Sequence, residues 1–331
     1  MVIPVFVPHK GCPFDCIYCN QKTISGQAGE AGEADIRKTI EEYLQTSREA
    51  FVEIGFYGGS FTGIPKEEQQ WYLEIGASYI KSGKVKQLRL STRPDYIDYD
   101  ILDFLSGYGV KTIELGAQSL DNQVLNFSNR GHDMETVVKA SRMIREKGFS
   151  LGIQTMIGLP GDTLEKTLNT ARAVIAIVPD IVRIYPTLVI RDTFLQKMYE
   201  SGKYTPLSLE EAVDISARLL ELYEENNINV IRIGLQPTEN ISETGDVVAG
   251  PFHPAFRQLV QARLMRNRLE KYFRENGLFN IKEINIECSP QNVSNIIGQK
   301  RENLRKIMNE FNIGNIRVTA KDKVDLFNVK T

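Results

Sequence analysis

The sequence predicts an α/β fold, a partial (β/α)6 TIM-like barrel followed by a small C-terminal α+β domain. Three observations predict it. Apolar strand-like runs alternate with helical patterns up to about residue 235, the glycine-rich and polar motifs fall just after strands, and the pattern changes beyond about residue 240. Alternating strands and helices imply a parallel sheet with right-handed crossovers. A barrel is favoured over a doubly wound sheet because barrel enzymes gather their sites at the C-terminal ends of the strands.

The strands are read, in order, at 2–7, 51–57, 88–92, 111–117, 149–157 and 180–185, with one more short strand at 230–233. Each is a short run rich in Val, Ile, Leu or Phe, as buried strands are. Helical periodicity separates them at 35–48, 66–81, 99–105, 122–127, 134–147, 164–178 and 208–225. Then Pro251-Phe252-His253-Pro254 precedes a long helix over 255–275. Phe256, Leu259, Val260, Leu264 and Phe273 lie near one face of it, and Arg257, Arg263, Arg266, Arg268, Lys271 and Arg274 fill much of the rest. A compact β-α-α-β-β pattern follows at 281–287, 290–296, 302–311, 316–319 and 323–327. The organisation read from this is a core at 1–235, a linker and basic helix at 236–280, and a small domain at 281–331.

Composition sets outer limits. A chain of 331 residues accommodates about two domains. With 42% hydrophobic and 25% charged residues, it is neither disordered, collagenous nor coiled coil. Its apolar runs are far short of a membrane span, and the start, Met1-Val2-Ile3-Pro4, has no basic leader region, so a cytoplasmic protein without a membrane partner is expected. The charge is uneven. Residues 251–331 hold 15 Lys and Arg against 8 Asp and Glu, while the other 250 residues hold 25 against 34. Such an imbalance fits a C-terminal part that meets a polyanion, or simply a solvated basic helix face.

Three of the four cysteines lie together, Cys12, Cys16 and Cys19, and Cys288 stands apart as a core residue. Three thiols cannot pair off among themselves, which argues against a disulfide framework. Structural zinc takes four protein ligands, and no fourth Cys or His follows at matching spacing; His9 lies upstream on the apparent strand. Three thiolates suit three irons of a [4Fe–4S] cube whose fourth iron is left open to a ligand.

The C-x3-C-x2-C spacing resembles that of the radical S-adenosylmethionine (SAM) superfamily. Gly58-Gly59-Ser60-Phe61 after the second strand, Ser91-Thr92-Arg93-Pro94-Asp95, Glu114-Leu115-Gly116-Ala117-Gln118-Ser119, Asn129-Arg130-Gly131-His132, Gly158-Leu159-Pro160-Gly161 and Arg183-Ile184-Tyr185-Pro186-Thr187 extend the likeness. Over about residues 1–235 they resemble the radical SAM core of the Elongator catalytic subunit and its bacterial relatives, and more distantly oxygen-independent coproporphyrinogen III oxidase. The resemblance implies that Cys12, Cys16 and Cys19 ligate the cluster and that Gly58, Gly59 and Ser60 meet the methionine amine of SAM. It implies that Arg130 forks the SAM carboxylate, that Gln118 bonds the ribose or adenine, and that Gln154 and Met156 line the adenosine pocket. Arg183 and Tyr185, the candidate catalytic residues, would face the substrate. Plainer readings stand beside these: a tight turn at Gly58-Gly59, a helix cap at Gln118, core packing at Met156 and Tyr185, and an acid partner for Arg183. Ser91 stands where relatives often carry a carboxylate. The Elongator subunit also has a C-terminal acetyltransferase domain, and the 96 residues after residue 235 are too few for one.

Residues 294–307 resemble the helix–loop–helix of a KH domain, which clamps single-stranded RNA with a G-x-x-G loop. Here the loop reads Gly298-Gln299-Lys300-Arg301, with arginine in place of the second glycine. Arg263, Arg266, Lys300 and Arg301 are the candidate RNA contacts. The expectation is an enzyme that generates a 5′-deoxyadenosyl radical for hydrogen abstraction in a tRNA base, fed by a one-electron donor such as flavodoxin or ferredoxin. A radical SAM enzyme on a small molecule such as a tetrapyrrole, or a non-catalytic RNA-binding iron–sulfur redox sensor, are the alternatives.

Overall fold

The computed structural model describes residues 1–7, 12, 16–20, 32–236, 241–242, 245–324 and 326–330. His9, Gly11 and the residues between Cys12 and Cys16 lie outside these. Contacts divide the chain into two compact units, Met1–Ser208 with Tyr223–Phe252, and Leu209–Leu222 with His253–Thr331.

The first unit is built on one parallel sheet. Its strands are β1 (Val2–Phe6), β2 (Glu53–Tyr57), β3 (Gln87–Thr92), β4 (Val110–Gln118), β5 (Ser150–Ile157), β6 (Ile181–Pro186) and, after the two-residue β7 (Val189–Ile190), β8 (Asn229–Ile233). The order is β1-β2-β3-β4-β5-β6-β8. Each strand lies beside the next in sequence and the order never reverses, so the sheet curls into a partial TIM-like barrel with no doubly wound switch point. Parallel strands require crossovers, supplied here by α1 (Glu33–Thr46), α2 (Lys66–Lys81), α3 (Tyr99–Gly107), α4 (Asn122–Phe127), α5 (Met134–Glu146), α6 (Leu164–Ile177), α7 (Phe194–Glu200) and α8 (Leu209–Glu225), of which Leu209–Leu222 is grouped with the second unit. The sequence starts several of them with a capping side chain. Asp98 accepts from the Ile101 N–H, Asp121 from Val124, Asp133 from Thr136, Thr163 from Lys166 and Thr193 from Gln196. Each satisfies a backbone donor that the first helical turn leaves open. Ile3, Ile54, Leu88, Leu90, Ile113, Leu115, Leu151 and Ile184 are fully buried in the core.

Three small elements were not legible as strands or helix. β7 pairs antiparallel with β9 (Val247–Ala249), and α7 follows β7; runs of two and three residues carry no periodicity. No described helix is long and apolar enough to cross a membrane.

In the second unit, β10 (Glu283–Cys288) pairs parallel with β11 (Asn315–Ala320) and antiparallel with β12 (Asn328–Lys330). Leu209–Leu222 of α8, α9 (Phe256–Glu275), α10 (Val293–Ile297) and α11 (Glu302–Phe311) belong to it as well. Phe273, Ile284, Ile286, Cys288, Ile296, Leu304, Ile307, Phe311 and Ile316 share one core, which places Cys288 where the sequence reading put it. The last strand is not at 323–327. The sheet order is β11-β10-β12, so the chain passes from one edge of the sheet to the other between Ala320 and Asn328.

Candidate active site

Gly58 and Ser60 follow β2. Gly58 has φ of 112°, and a Cβ there would stand 2.8 Å from the Val7 carbonyl oxygen, so the position requires glycine. The turn also places Ser60 Oγ 2.8 Å from Thr92 Oγ1 at the end of β3, where it accepts from the Arg93 N–H at 3.1 Å. The ends of β2 and β3 are thereby joined.

Cys16 is 7% exposed, whereas Cys12 and Cys19 are half-buried, and none of the three is in a disulfide. The Cys19 N–H donates to the Cys16 carbonyl at 2.9 Å, a tight turn. Between them, Ile17 is pinned on both sides, donating to the Ser128 carbonyl at 3.3 Å and accepting from the Leu195 N–H at 2.7 Å. α7, which the sequence did not reveal, thus braces the cysteine loop. Burial pushes the Cys12 thiol pKa up, with Arg93 and Arg130 pulling it back. Among the described residues, no three Cys, His, Asp or Glu side chains stand together at metal-holding distance. The donor set itself, three uncrosslinked thiols on one braced loop beside a buried guanidinium, fits an iron–sulfur cluster.

That guanidinium is Arg130. Its Nη1 donates to Cys16 Sγ at 3.1 Å and its Nη2 to the Gly116 carbonyl at 2.5 Å. Its own carbonyl accepts from Arg93 Nη2, and Arg93 Nε forks the Asp95 carboxylate at 2.9 and 3.3 Å. His132 is packed in the same cluster, 3.9 Å from Asp95. Burial, together with Arg130 and Arg93, pushes its pKa down to about 4. Gln118, at the end of β4, holds φ of 67°, a backbone conformation that costs a non-glycine residue about 1–2 kcal/mol. The chain shifts register there, and the Gln118 amide lies over Gly116, where an added Cβ would sit 3.0 Å from Nε2. Gln118, Gly116, Arg130 and Cys16 therefore form one group.

Gln154 and Met156 sit on β5 directly opposite Arg183 and Tyr185 on β6. The plainer reading of Arg183 holds in part. Its Nε and Nη2 reach Glu114 at 2.5 and 2.9 Å, and Nη2 also meets the Tyr57 hydroxyl at 3.1 Å. Its charge is already matched by an acid. Burial pushes the Tyr185 phenol pKa up. Glu114 and Tyr57 were not singled out by sequence reasoning. The available signal was a carboxylate set between two apolar residues, Ile113 and Leu115, in the middle of a strand.

The basic candidates in the second unit separate. Arg263 is 7% exposed and held by Glu210 at 2.5 Å and by Asp214; burial of such a group is tolerated when it keeps partners of this kind. Arg266 is largely buried and pairs with Glu270 at 3.1 Å. Neither faces solvent as the helix pattern had suggested. Lys300 and Arg301 are exposed. Arg301 has φ of 61° and ψ of 27°, the left-handed conformation that glycine favours, and Lys300 is left-handed as well.

Residues 6–174 match the family described as Radical SAM superfamily, and residues 179–266 match the Radical_SAM C-terminal domain. An uncharacterised protein of Methanocaldococcus jannaschii is 29% identical over 66% of this chain and 65% of its own length. The tRNA uridine(34) acetyltransferase of the same archaeon is 30% identical over 50% of this chain and 34% of its own. Human Elongator complex protein 3 is 29% identical over 56% and 38%. Among solved structures, the archaeal Methanocaldococcus infernus Elp3 with an N-terminal deletion has a TM-score of 0.64 at 22% identity, covering 90% of this chain and 67% of that one, a likeness of fold. The chain spans from about a third to about two thirds of the length of these curated relatives.

Proposed function

This chain belongs to the radical SAM superfamily and is a radical SAM enzyme, and we propose that its substrate is RNA, a base of tRNA. Its cofactors are those of the superfamily, a [4Fe–4S] cluster and SAM. Bound together, they supply a 5′-deoxyadenosyl radical for hydrogen abstraction, the step the protein frame does not perform.

In this reading Cys12, Cys16 and Cys19 hold the cluster. Gly58, Gly59 and Ser60 meet the SAM amine, Arg130 forks its carboxylate, and Gln118, Gln154 and Met156 surround the adenosine. Arg183 and Tyr185 lie toward the substrate; with Arg183 matched by Glu114, the pair orients substrate rather than exchanging protons. A one-electron donor such as flavodoxin or ferredoxin completes the system. The reading is supported most by Arg130, one buried side chain that touches both the cysteine loop and the end of β4.

The RNA part is supported by the loop Gly298–Arg301, by the positive excess of residues 251–331, and by the tRNA-directed names of several relatives. Of the basic candidates only Lys300 and Arg301 remain in it, because Arg263 and Arg266 are occupied. The reading divides the labour as the sequence does, with the radical chemistry in 1–235, the basic helix in 236–280 and the RNA grip in 281–331. The test is anaerobic reconstitution with SAM and whole-cell RNA, followed by nucleoside mass spectrometry against Cys16→Ala. A new modified nucleoside formed by the unaltered protein alone supports the reading. SAM cleavage without any change in RNA points to a small-molecule substrate instead.

A further inference from the structure

Glu114 is 0% exposed, at the centre of β4, and five donors converge on it. Arg183 reaches both its oxygens, Tyr57 OH lies at 3.2 Å, Gln154 Nε2 at 3.1 Å and Arg89 Nη1 at 3.4 Å. Arg89 in turn pairs with Glu53 at 3.3 Å. Two carboxylates and two guanidiniums thus form a network that takes side chains from β2, β3, β4, β5 and β6. A buried carboxylate is tolerated only when donors satisfy it as fully as this.

The network constrains Gln154. A carboxylate accepts hydrogen bonds and donates none, so the Gln154 amide nitrogen must face Glu114. The carbonyl oxygen is then the end left for a ligand. The structure assigns to Glu114 the role of a positioning residue that makes Gln154 a hydrogen-bond acceptor, so that this part of the site selects an adenosyl group presenting an N–H or O–H there. The inference rests on the reading of Gln154 as part of the adenosine pocket. The donor is either the adenine 6-amino group or a ribose hydroxyl.

The experiment measures binding to the anaerobically reconstituted protein by calorimetry, using SAM, its inosyl analogue (a 6-keto oxygen in place of the amine) and its 2′- and 3′-deoxyribosyl analogues. The unaltered protein should bind one of the analogues about tenfold more weakly than SAM, the loss of one hydrogen bond. A weak inosyl analogue identifies the amine as the donor, and a weak deoxy analogue the hydroxyl. Glu114→Gln keeps the shape but lets the facing amide turn over, so the preference should shrink to about twofold or less. A purely structural role for Glu114 would lower all four affinities together and leave their ratios alone. Gln154→Leu, with Glu114 intact, provides the same readout if Glu114→Gln does not fold, and should likewise abolish the preference. Equal binding of all four ligands by the unaltered protein, or an undiminished preference in either variant, overturns the inference while leaving the cofactor reading in place. Failure of the unaltered protein to bind SAM at all overturns both.

Discussion

Arg130 Nη1 lies 3.1 Å from the sulfur of Cys16, a contact that joins residues 114 apart in sequence. The same guanidinium holds the Gly116 carbonyl, and the Arg130 backbone is held by Arg93. A planar fork can serve two such acceptors and still turn one edge to a carboxylate, whereas a lysine ammonium is a point charge on a flexible stem. Arg130→Lys should therefore weaken SAM binding about tenfold to a hundredfold, the loss of 1.5–3 kcal/mol expected for a charge-assisted bidentate contact. Iron content should stay near that of the unaltered protein. Calorimetric titration with SAM and iron analysis on the same sample check it, and an unchanged affinity rejects Arg130 as the carboxylate ligand.

The four cysteines should divide three to one. Replacement of Cys12, Cys16 or Cys19 by alanine should abolish stable iron and sulfide binding after anaerobic reconstitution. Cys288 is fully buried in the core of the second unit, so Cys288→Ala should leave iron content unchanged and cost about 1–2 kcal/mol of stability through lost packing. Zinc in place of iron in the oxygen-free protein would remove the basis for the radical chemistry.

The sheet was legible because its strands are short segments rich in apolar residues set between helical periods, and seven such segments in chain order leave little choice of architecture. The glycine motif was legible because backbone geometry at Gly58 allows one residue type, and the cysteine motif because three thiolates at that spacing suit an iron–sulfur cluster. What escaped was the partnering of charges. Nothing in local pattern ties Glu114 to Arg183, 69 residues on, or Arg263 to Glu210 and Asp214, because ion pairs between distant elements depend on tertiary packing. The helix pattern rightly placed Val260 and Leu264 inward, but it could not see that Arg263 lies close enough to their face to be buried as well.

His132 predicts a pH dependence. Its folded pKa is about 4 against an ordinary value of 6.5, with desolvation the largest cause, followed by Arg130 and Arg93. Asp95, which would favour the charged ring, is already forked by Arg93. The folded protein refuses the proton that the unfolded chain accepts. The stability associated with a neutral His132 is therefore complete above about pH 6.5 and is lost as the pH falls toward 4, by roughly 3 kcal/mol in all. Thermal or urea unfolding between pH 7.5 and 4.5 should show a steeper decline for the unaltered protein than for His132→Gln. Parallel curves would mean that His132 is not neutral in the folded state or is not buried.

The last prediction concerns the loop at Gly298–Arg301. Gly298 has φ of 71°, and an added Cβ would lie 2.8 Å from Asn303 Cγ, while Asn303 Nδ2 holds the Ala262 and Asn295 carbonyls at 2.8 and 2.9 Å. Gly298→Ala should therefore destabilise the protein by about 1–2 kcal/mol. Arg301 keeps the backbone conformation of a glycine while carrying a charge, so Arg301→Gly should do the reverse and stabilise by roughly 1 kcal/mol. If the charge is kept there for phosphate contact, that gain comes with a loss of RNA affinity. Lys300→Ala with Arg301→Ala should weaken tRNA binding and reduce the slope of log affinity against log salt by about two, one for each phosphate contact removed. Arg263→Ala, which removes a buried cation, should lower stability and leave that slope unchanged. Salt-dependent filter binding of tRNA, together with unfolding curves, separates the two effects. A slope that falls as far for Arg263→Ala as for the loop variant, or that does not move for either, would show that the loop is not where RNA is held.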